Sequence, residues 1–213
     1  MRQIIYVKYN RTRSEKFQLK TAIVRENGAL SVEKTALTEA GAGHMGSFWE
    51  KYQMIREQNP RIRFLEPEFK DGGKTVCFRY LEGETLADAL ADRIHMGQIP
   101  YEELERVMAL VFPEDFSVDS GHFSIKEQTG GPFAPSQGFT EVFGPVPEGL
   151  EELGRLTAAP NVDGLFENLM ISDGHVYGID YEWVFDMEIP ARFLHYRNLL
   201  YFYRRCEASV SSA

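Results

Sequence analysis

Three oxygen-bearing side chains lie close together in the last third of the sequence. Asp163 and Asn168 are five residues apart in the segment NVDGLFEN, and Asp180 ends the segment LMISDGHVYGID that follows. The Asp173-Gly174 pair predicts a turn between two short strands, and such a hairpin would return Asp180 to the side of Asn168. Carboxylate and amide oxygens are the ligands that Mg²⁺ takes, and Asp163 could accept a hydroxyl proton. The alternative is a plain hairpin with surface carboxylates.

These motifs resemble those of the protein-kinase-like phosphotransferases, especially the aminoglycoside phosphotransferase and choline kinase branch. The D-x-x-x-x-N pattern of that family is met by Asp163 and Asn168, and its I-D-[FY]-E pattern by residues 179–182 (IDYE). The resemblance implies that Asp163 is the catalytic base and that Asn168 and Asp180 bind Mg²⁺. It also implies transfer of the γ-phosphoryl group of ATP to a small-molecule hydroxyl, as in an amino sugar, a sugar or an amino alcohol.

Two residues of the first 80 fit the same resemblance. Lys34 lies in the middle of the predicted third strand, where the family has a lysine for the α- and β-phosphates. Glu50 lies sixteen residues further on, in a predicted helix, and the resemblance implies that it holds Lys34. Glu39 is an alternative partner, although it precedes the helix. On its own, a lysine in a strand is usually a solvated side chain.

The nucleotide-binding assignments continue at two further segments. The first predicted turn, NRTRSE, has no glycine-rich loop, but Arg11 and Arg13 could contact phosphate through their side chains. Residues 79–81 (Arg79, Tyr80 and Leu81) resemble the hinge strand whose backbone meets adenine in the family. Leu81 fits a core position equally well.

The elements that must position these residues fall into two groups. A three-stranded antiparallel meander (4–9, 17–24 and 30–37) is followed by a helix over 47–58 and by two strands at 62–69 and 75–81. Later residues predict helices at 84–96, 101–112 and 191–205, a long loop-rich segment at 113–147 and the hairpin at 165–179. We expect an α+β, bilobal protein-kinase-like fold, with a nucleotide-binding lobe at 1–80 and a mainly helical catalytic and acceptor-binding lobe at 81–213.

Composition and charge exclude several classes of protein. The 213 residues carry a net charge of −9, which argues against a dedicated nucleic-acid binder. Residues 1–75 have a net charge of +5 and residues 76–213 one of −14, and the acidic part weakly favours a cationic acceptor. No apolar run approaches the roughly 20 residues of a membrane helix. The presence of only two cysteines and the lack of a secretory signal favour a reducing, cytoplasmic location. The histidines and cysteines have no zinc-ligand spacing, which argues against a zinc site.

Two other functions stay open from the sequence. The missing glycine-rich loop favours a pseudokinase-like binding or scaffold module, attached to a neighbouring domain or protein of a glycan pathway. Residues 41–46 (GAGHMG) match the G-x-G-x-x-G pattern, which favours a methyltransferase fragment that binds S-adenosylmethionine. That pattern requires a βαβ unit, and the alternation of strands and helices does not continue after Leu81.

Overall fold

The computed structural model describes residues 1–98, 101–126, 133–146 and 154–210, with side chains to residue 207. It divides into two compact units. Unit 1 comprises Met1–Arg56 and Phe64–Glu82, and unit 2 comprises Glu57–Arg63 and Gly83–Ala213. Within the described ranges, no helix is both long enough and apolar enough to cross a membrane.

The secondary structure mixes short strands with six α-helices in the described ranges. The strands are β1 (Arg2–Tyr9), β2 (Leu19–Glu26), β3 (Ala29–Ala36), β4 (Ile62–Phe64), β5 (Glu68–Lys70), β6 (Thr75–Arg79), β7 (Glu84–Thr85), β8 (Phe116–Asp119), β9 (His122–Ile125), β10 (Leu156–Thr157), β11 (Leu169–Ser172), β12 (His175–Gly178) and β13 (Ile189–Pro190). The helices are α1 (Ala42–Gly46), α2 (Phe48–Arg56), α3 (Leu86–His95), α4 (Tyr101–Val111), α5 (Gln137–Phe143) and α6 (Ala191–Val210).

Unit 1 is built on a five-stranded antiparallel sheet in the order β1-β2-β3-β6-β5. Asn27 and Gly28 have φ values of 51° and 85° between β2 and β3, the left-handed backbone that a tight two-residue hairpin requires. Helix α2 packs on this sheet through Phe48, whose ring centroid lies 5.9 Å from that of Phe78 in β6. The predicted α+β class, with a five-stranded sheet and a helix in the N-terminal part, is confirmed.

The single strand predicted over residues 62–69 is wrong. The segment forms two strands that join different sheets, since β5 pairs with β6 while β4 lies beside β12. Pro67 stands between them and has no backbone N–H to donate to a ladder. The sheet of unit 1 therefore contains only the end of the predicted fourth strand, which is β5.

The glycine-rich segment 41–46 does not form a nucleotide-binding loop. Residues 42–46 form α1, in which Met45 is fully buried. The preceding strand, β3, is antiparallel to both of its neighbours, whereas the G-x-G-x-x-G fingerprint requires a parallel βαβ unit. The structure therefore removes the basis of the methyltransferase interpretation.

Unit 2 combines α3, α4, α5 and α6 with a four-stranded sheet in the order β4-β12-β11-β7. Helix α3 begins after Thr85, whose side chain caps it by accepting a hydrogen bond from Asp88 N at 3.0 Å. Within the loop-rich segment 113–147, β8 and β9 form a hairpin that the sequence did not predict, and α5 follows it. Residues 127–132 and 147 of that segment lie outside the described residues.

A buried ion-pair cluster joins three segments of unit 2. Asp115, which is fully buried, accepts hydrogen bonds from Arg155 Nε at 2.7 Å and Arg155 Nη2 at 2.6 Å, and its carboxylate lies 3.0 Å from His195 Nε2. Burial acts to raise the pKa of the Asp115 carboxyl. The hydrogen bonds from Arg155 and His195 outweigh burial, so the pKa lies below the ordinary value for aspartic acid.

We expect Asp115→Asn to destabilise the protein at neutral pH and to approach the wild type in acid. Because the native carboxyl has a lowered pKa, its contribution is full above the unfolded-state pKa of about 3.9 and is lost as the pH falls below it. Removing one partner of a buried pair costs about 3–5 kcal/mol, which urea unfolding near neutral pH would measure. Asp119→Asn, at the exposed end of β8, is the matched control. A deficit for Asp115→Asn that does not shrink in acid would contradict the ionised carboxyl.

A second prediction concerns Gly83, which precedes β7 with a φ of 153°. A Cβ atom there would overlap the carbonyl oxygen of Ile171 in β11, the strand that pairs with β7. We expect Gly83→Ala to lower the free energy of unfolding by about 3 kcal/mol, measured by urea titration. Gly43→Ala is the control, since that position has open space and helical backbone. Equal stability of the two variants would contradict this close approach.

Candidate active site

The hairpin β11–β12 brings Asn168 and Asp180 to the same end of two paired strands. The register runs from Ser172 opposite His175 to Leu169 opposite Gly178, with the Asp173-Gly174 pair as its turn. One residue beyond that ladder, Ile179 N donates a hydrogen bond to Asn168 O at 2.9 Å. Asp180 therefore follows directly on the residue that is bonded to Asn168.

A second crossing ties the entry of the preceding loop to the residues that follow Asp180. Val162 N donates to Trp183 O at 3.1 Å, and Asn161 forms a bridge with Val184. The Val162–Trp183 and Asn168–Ile179 hydrogen bonds enclose the loop 162–168 and the segment 179–183. Asp163 and Asp180 lie between these two crossings and Asn168 lies at one of them, so the backbone of all three is held on both sides.

The backbone at Asp180 is in an unusual conformation. Its φ of 59° is left-handed, a region that residues with side chains seldom occupy outside turns. Asp173, in the hairpin turn, has a similar φ of 49°, which the turn explains. Asp180 has no such turn, and strained backbone of this kind is concentrated at functional sites.

The side chain of Asn168 has a defined orientation. Its Nδ2 donates to the backbone carbonyl oxygen of Asp163 at 2.8 Å, which closes the loop between the two residues. The loop is further fixed because Asp163 N donates to Asn161 Oδ1 at 3.2 Å. With its nitrogen bonded to the loop, Asn168 has the oxygen Oδ1 as the end that could meet a cation.

The carboxylate of Asp163 is oriented by an arginine of helix α6. Arg197 Nη2 lies 3.1 Å from Asp163 Oδ1, and Arg197 Nε donates to the backbone oxygen of Val162 at 2.9 Å. The side chains of Asp163 and Arg197 are 26% and 23% exposed, so solvent-borne reactants can reach this carboxylate. Sequence reasoning did not identify Arg197, since nothing in the motif points to a helix thirty-four residues later.

Asn198, the next residue of α6, fixes the middle of the same loop. It is buried, its Oδ1 accepts from Phe166 N at 3.0 Å, and its Nδ2 donates to Gly164 O at 3.2 Å. The sequence analysis missed this residue as well. The signal that could have found it is an amide in the middle of a helix that is otherwise rich in aromatic and aliphatic residues.

Lys34 is buried, whereas Glu50 is exposed. Helix α2 directs Phe48, Lys51 and Ile55 to its buried face, and the intervening Glu50 is exposed. The helical repeat places Lys51, and not Glu50, on the buried side of α2. The pairing of Glu50 with Lys34 stays a prediction.

Lys51 lies close to the same ring as Lys34. The Nζ atoms of Lys34 and Lys51 are 5.9 Å and 5.5 Å from the centroid of Phe48. Glu39, the alternative partner, is instead exposed and paired with Lys74 at 2.5 Å.

The turn that contains Arg11 and Arg13 is held by a side chain. Gln18 Nε2 donates to Arg11 O at 3.2 Å and to Arg13 O at 3.0 Å. The guanidinium of Arg11 is exposed and lies 5.0 Å from the ring centroid of Tyr9. The turn at residues 11–13 is therefore held by hydrogen bonds from the Gln18 side chain and has no glycine. This role of Gln18 could not be recognised in the sequence.

The segment compared with a hinge lies at the end of β6. Arg79 pairs with Ser31 in the ladder and is exposed, while Tyr80 N donates to Leu30 O at 3.3 Å. Leu81 is buried among core residues. Its side chain therefore serves packing, and its backbone role stays a prediction.

The available donors fit a magnesium ion shared with a phosphorylated ligand. Among the residues described, no group of three or more histidine, cysteine, aspartate or glutamate side chains could hold a metal. Asn168 and Asp180 offer an amide and a carboxylate oxygen at one end of the hairpin. Mg²⁺ is commonly bound by one or two carboxylates together with phosphate oxygens and water, so this limited set suits it.

Comparison with known proteins returns small-molecule phosphotransferases among solved structures. The macrolide 2'-phosphotransferase MphH from Brachybacterium faecium is 9% identical, with 94% of this chain and 77% of that chain covered and a TM-score of 0.38. Aminoglycoside phosphotransferase APH(4)-Ia is 11% identical, with 97% and 80% covered and a TM-score of 0.40. A thermostable mutant of that enzyme, in ternary complex with ADP and hygromycin B, is 13% identical, with 95% and 79% covered and a TM-score of 0.39.

No protein-family model matches the sequence, and no match was found among curated proteins. The alignments with the structures above cover 94–97% of this chain.

Asn198→Ala should loosen the loop that carries Asp163. The change leaves Phe166 N and Gly164 O without their side-chain partner, and a buried unsatisfied group costs about 1–3 kcal/mol. We expect a loss of that size in urea unfolding and faster hydrogen exchange at the Phe166 amide. Leu199→Ala, at an exposed position of α6, should leave the Phe166 amide protected. Unchanged exchange at Phe166 in Asn198→Ala would contradict the clamp.

Proposed function

We propose that this protein is an ATP- and Mg²⁺-dependent phosphotransferase that acts on a hydroxyl group of a small molecule. The observation that carries the proposal is the bracketed arrangement of Asp163, Asn168 and Asp180 between two backbone crossings. A general base and two metal-binding oxygens on one rigid segment meet the needs of phosphoryl transfer. That reaction depends on positioning and charge neutralisation more than on covalent chemistry.

Each residue has a distinct part in the proposed reaction. The acceptor hydroxyl oxygen bonds to the γ-phosphorus, the bond from that phosphorus to the oxygen of ADP breaks, and the hydroxyl proton passes to Asp163. Arg197 holds the Asp163 carboxylate in position for the hydroxyl. Asn168 and Asp180 would hold Mg²⁺, which supplies positive charge to the phosphate oxygens.

The nucleotide contacts are proposed from unit 1. Lys34 is the candidate for the α- and β-phosphates because its buried ammonium group sits on the rigid strand β3. Arg11 and Arg13 would contact phosphate through their side chains, and residues 79–81 would meet adenine. We propose residues 1–80 as the nucleotide-binding part and residues 81–213 as the catalytic and acceptor-binding part.

A pseudokinase-like binding module is the second candidate. It is favoured by the turn at Arg11 and Arg13, which is held by Gln18 and lacks a glycine-rich loop, and by the exposure of Glu50. A module of this kind would bind nucleotide weakly or not at all and would act through a partner. The glycan-pathway partner and the cytoplasmic location stay predictions.

Thermal shift with ATP and Mg²⁺ tests the metal assignment. We expect the wild type to show a Mg²⁺-dependent increase in Tm with ATP, and Asp180→Asn to lose it. Asp173→Asn is the matched control, since both aspartates lie on the same hairpin segment with left-handed backbone that asparagine also tolerates. Retention of the full shift in Asp180→Asn, or no shift in the wild type, would contradict the proposal.

Asp163→Asn separates transfer from binding. It should keep the ATP·Mg²⁺ shift while the rate of ADP formation with an accepted substrate falls by about 10²–10⁴-fold, the usual contribution of a general base. A variant that loses binding and transfer together would contradict the assignment of Asp163 as the base.

A further inference from the structure

An apolar cavity of about 470 Å³ lies between α5 and α6 in unit 2. Its walls come from the end of α5 and the residues after it, from β13 and from the first two turns of α6. Phe143 of α5 and Phe193 of α6 both line it and contact each other edge to face, with ring centroids 5.9 Å apart. A cavity of this volume is the size of those that hold small molecules in proteins.

The lining of the cavity favours an uncharged, flat or branched apolar group. Phe139 extends the aromatic wall, with its ring centroid 5.0 Å from that of Phe143. Phe143 and Phe193 are 39% and 38% exposed, so this apolar surface is open to solvent. Among the described residues that line the cavity, Arg192 is the charged one, and the others are apolar or aromatic side chains or glycine.

The cavity adjoins the proposed catalytic base through one side chain. The guanidinium carbon of Arg197 lies 6.0 Å from the ring centroid of Phe193, and Arg197 Nη2 is 3.1 Å from Asp163 Oδ1. Phe193 therefore faces the cavity while it also contacts the arginine that orients Asp163. Arg197 is thus the one side chain between the cavity-lining Phe193 and the Asp163 carboxylate.

We propose that this cavity binds the aryl or alkyl part of the phosphoryl acceptor, whose hydroxyl then reaches Asp163. The inference rests on the proposed function and narrows its substrate class. The acceptor is a hydroxyl compound with an apolar substituent, in place of a wholly polar sugar or amino sugar.

The test compares phenyl β-D-glucopyranoside, methyl β-D-glucopyranoside and D-glucosamine by calorimetry on the full chain without nucleotide. Burial of the phenyl ring in an apolar wall should make the phenyl glycoside bind at least about 10-fold more tightly than the other two. Tyr196→Asp, which places a carboxylate in the lining, should abolish that preference. Tyr203→Asp should retain it, because Tyr203 lies on the same helix, is 62% exposed like Tyr196 and does not line the cavity.

Equal binding of the three compounds, or loss of the preference in both variants, would overturn the inference. Turnover with ATP and Mg²⁺ is measured in parallel to keep the two proposals apart. Selective binding of the phenyl glycoside that depends on Tyr196, without phosphorylation of any acceptor in a wider panel, would support the cavity and count against the phosphotransferase. Phosphorylation of D-glucosamine in preference to the aryl glycoside would support the phosphotransferase and overturn the acceptor class.

Discussion

Two backbone hydrogen bonds, Val162 to Trp183 and Ile179 to Asn168, set the geometry on which the candidate site depends. They fix the register between the loop that carries Asp163 and the segment that carries Asp180. If one strand of the hairpin shifted its pairing by one residue, all of its side chains would turn to the opposite face of the sheet. Arg197 and Asn198 then hold the loop from α6, so strand register and helix packing both act on the same few residues.

Hairpin turns and the strands that they join could be predicted from the sequence, because residues close together in the chain specify them. The hairpin turns at Asn27-Gly28 and Asp173-Gly174 require left-handed backbone that their residue types tolerate, so the paired strands could be located. The buried face of α2 was harder to predict, because Glu50 and Lys51 are adjacent and only the packing of Phe48 decides which of them turns inward. The resemblance implies a role for Glu50, and the fold places its neighbour Lys51 on the buried face of the helix.

Contacts between distant segments account for most of what the sequence could not reveal. One buried cluster consists of Asp115, which directly precedes β8, together with Arg155 and His195. Forty residues separate each of the three from the next along the chain. Arg197 and Asn198 likewise act on a loop more than thirty residues earlier. Residue type alone marks such positions only as polar groups in apolar surroundings, and their partners become known when the chain is folded.

We propose that a metal ion binds together with the nucleotide between Asn168 and Asp180, at the end of the β11–β12 hairpin opposite its turn. Substituting Mn²⁺ for Mg²⁺ in the presence of ADP allows a direct test, because the paramagnetic ion broadens NMR signals of nuclei close to it. We expect the side-chain amide of Asn168 and the backbone amides of residues 179–181 to broaden more strongly than those of Asp173 and Gly174 at the other end of the hairpin. Nucleotide-dependent broadening that spares Asn168 and residues 179–181 would contradict the account.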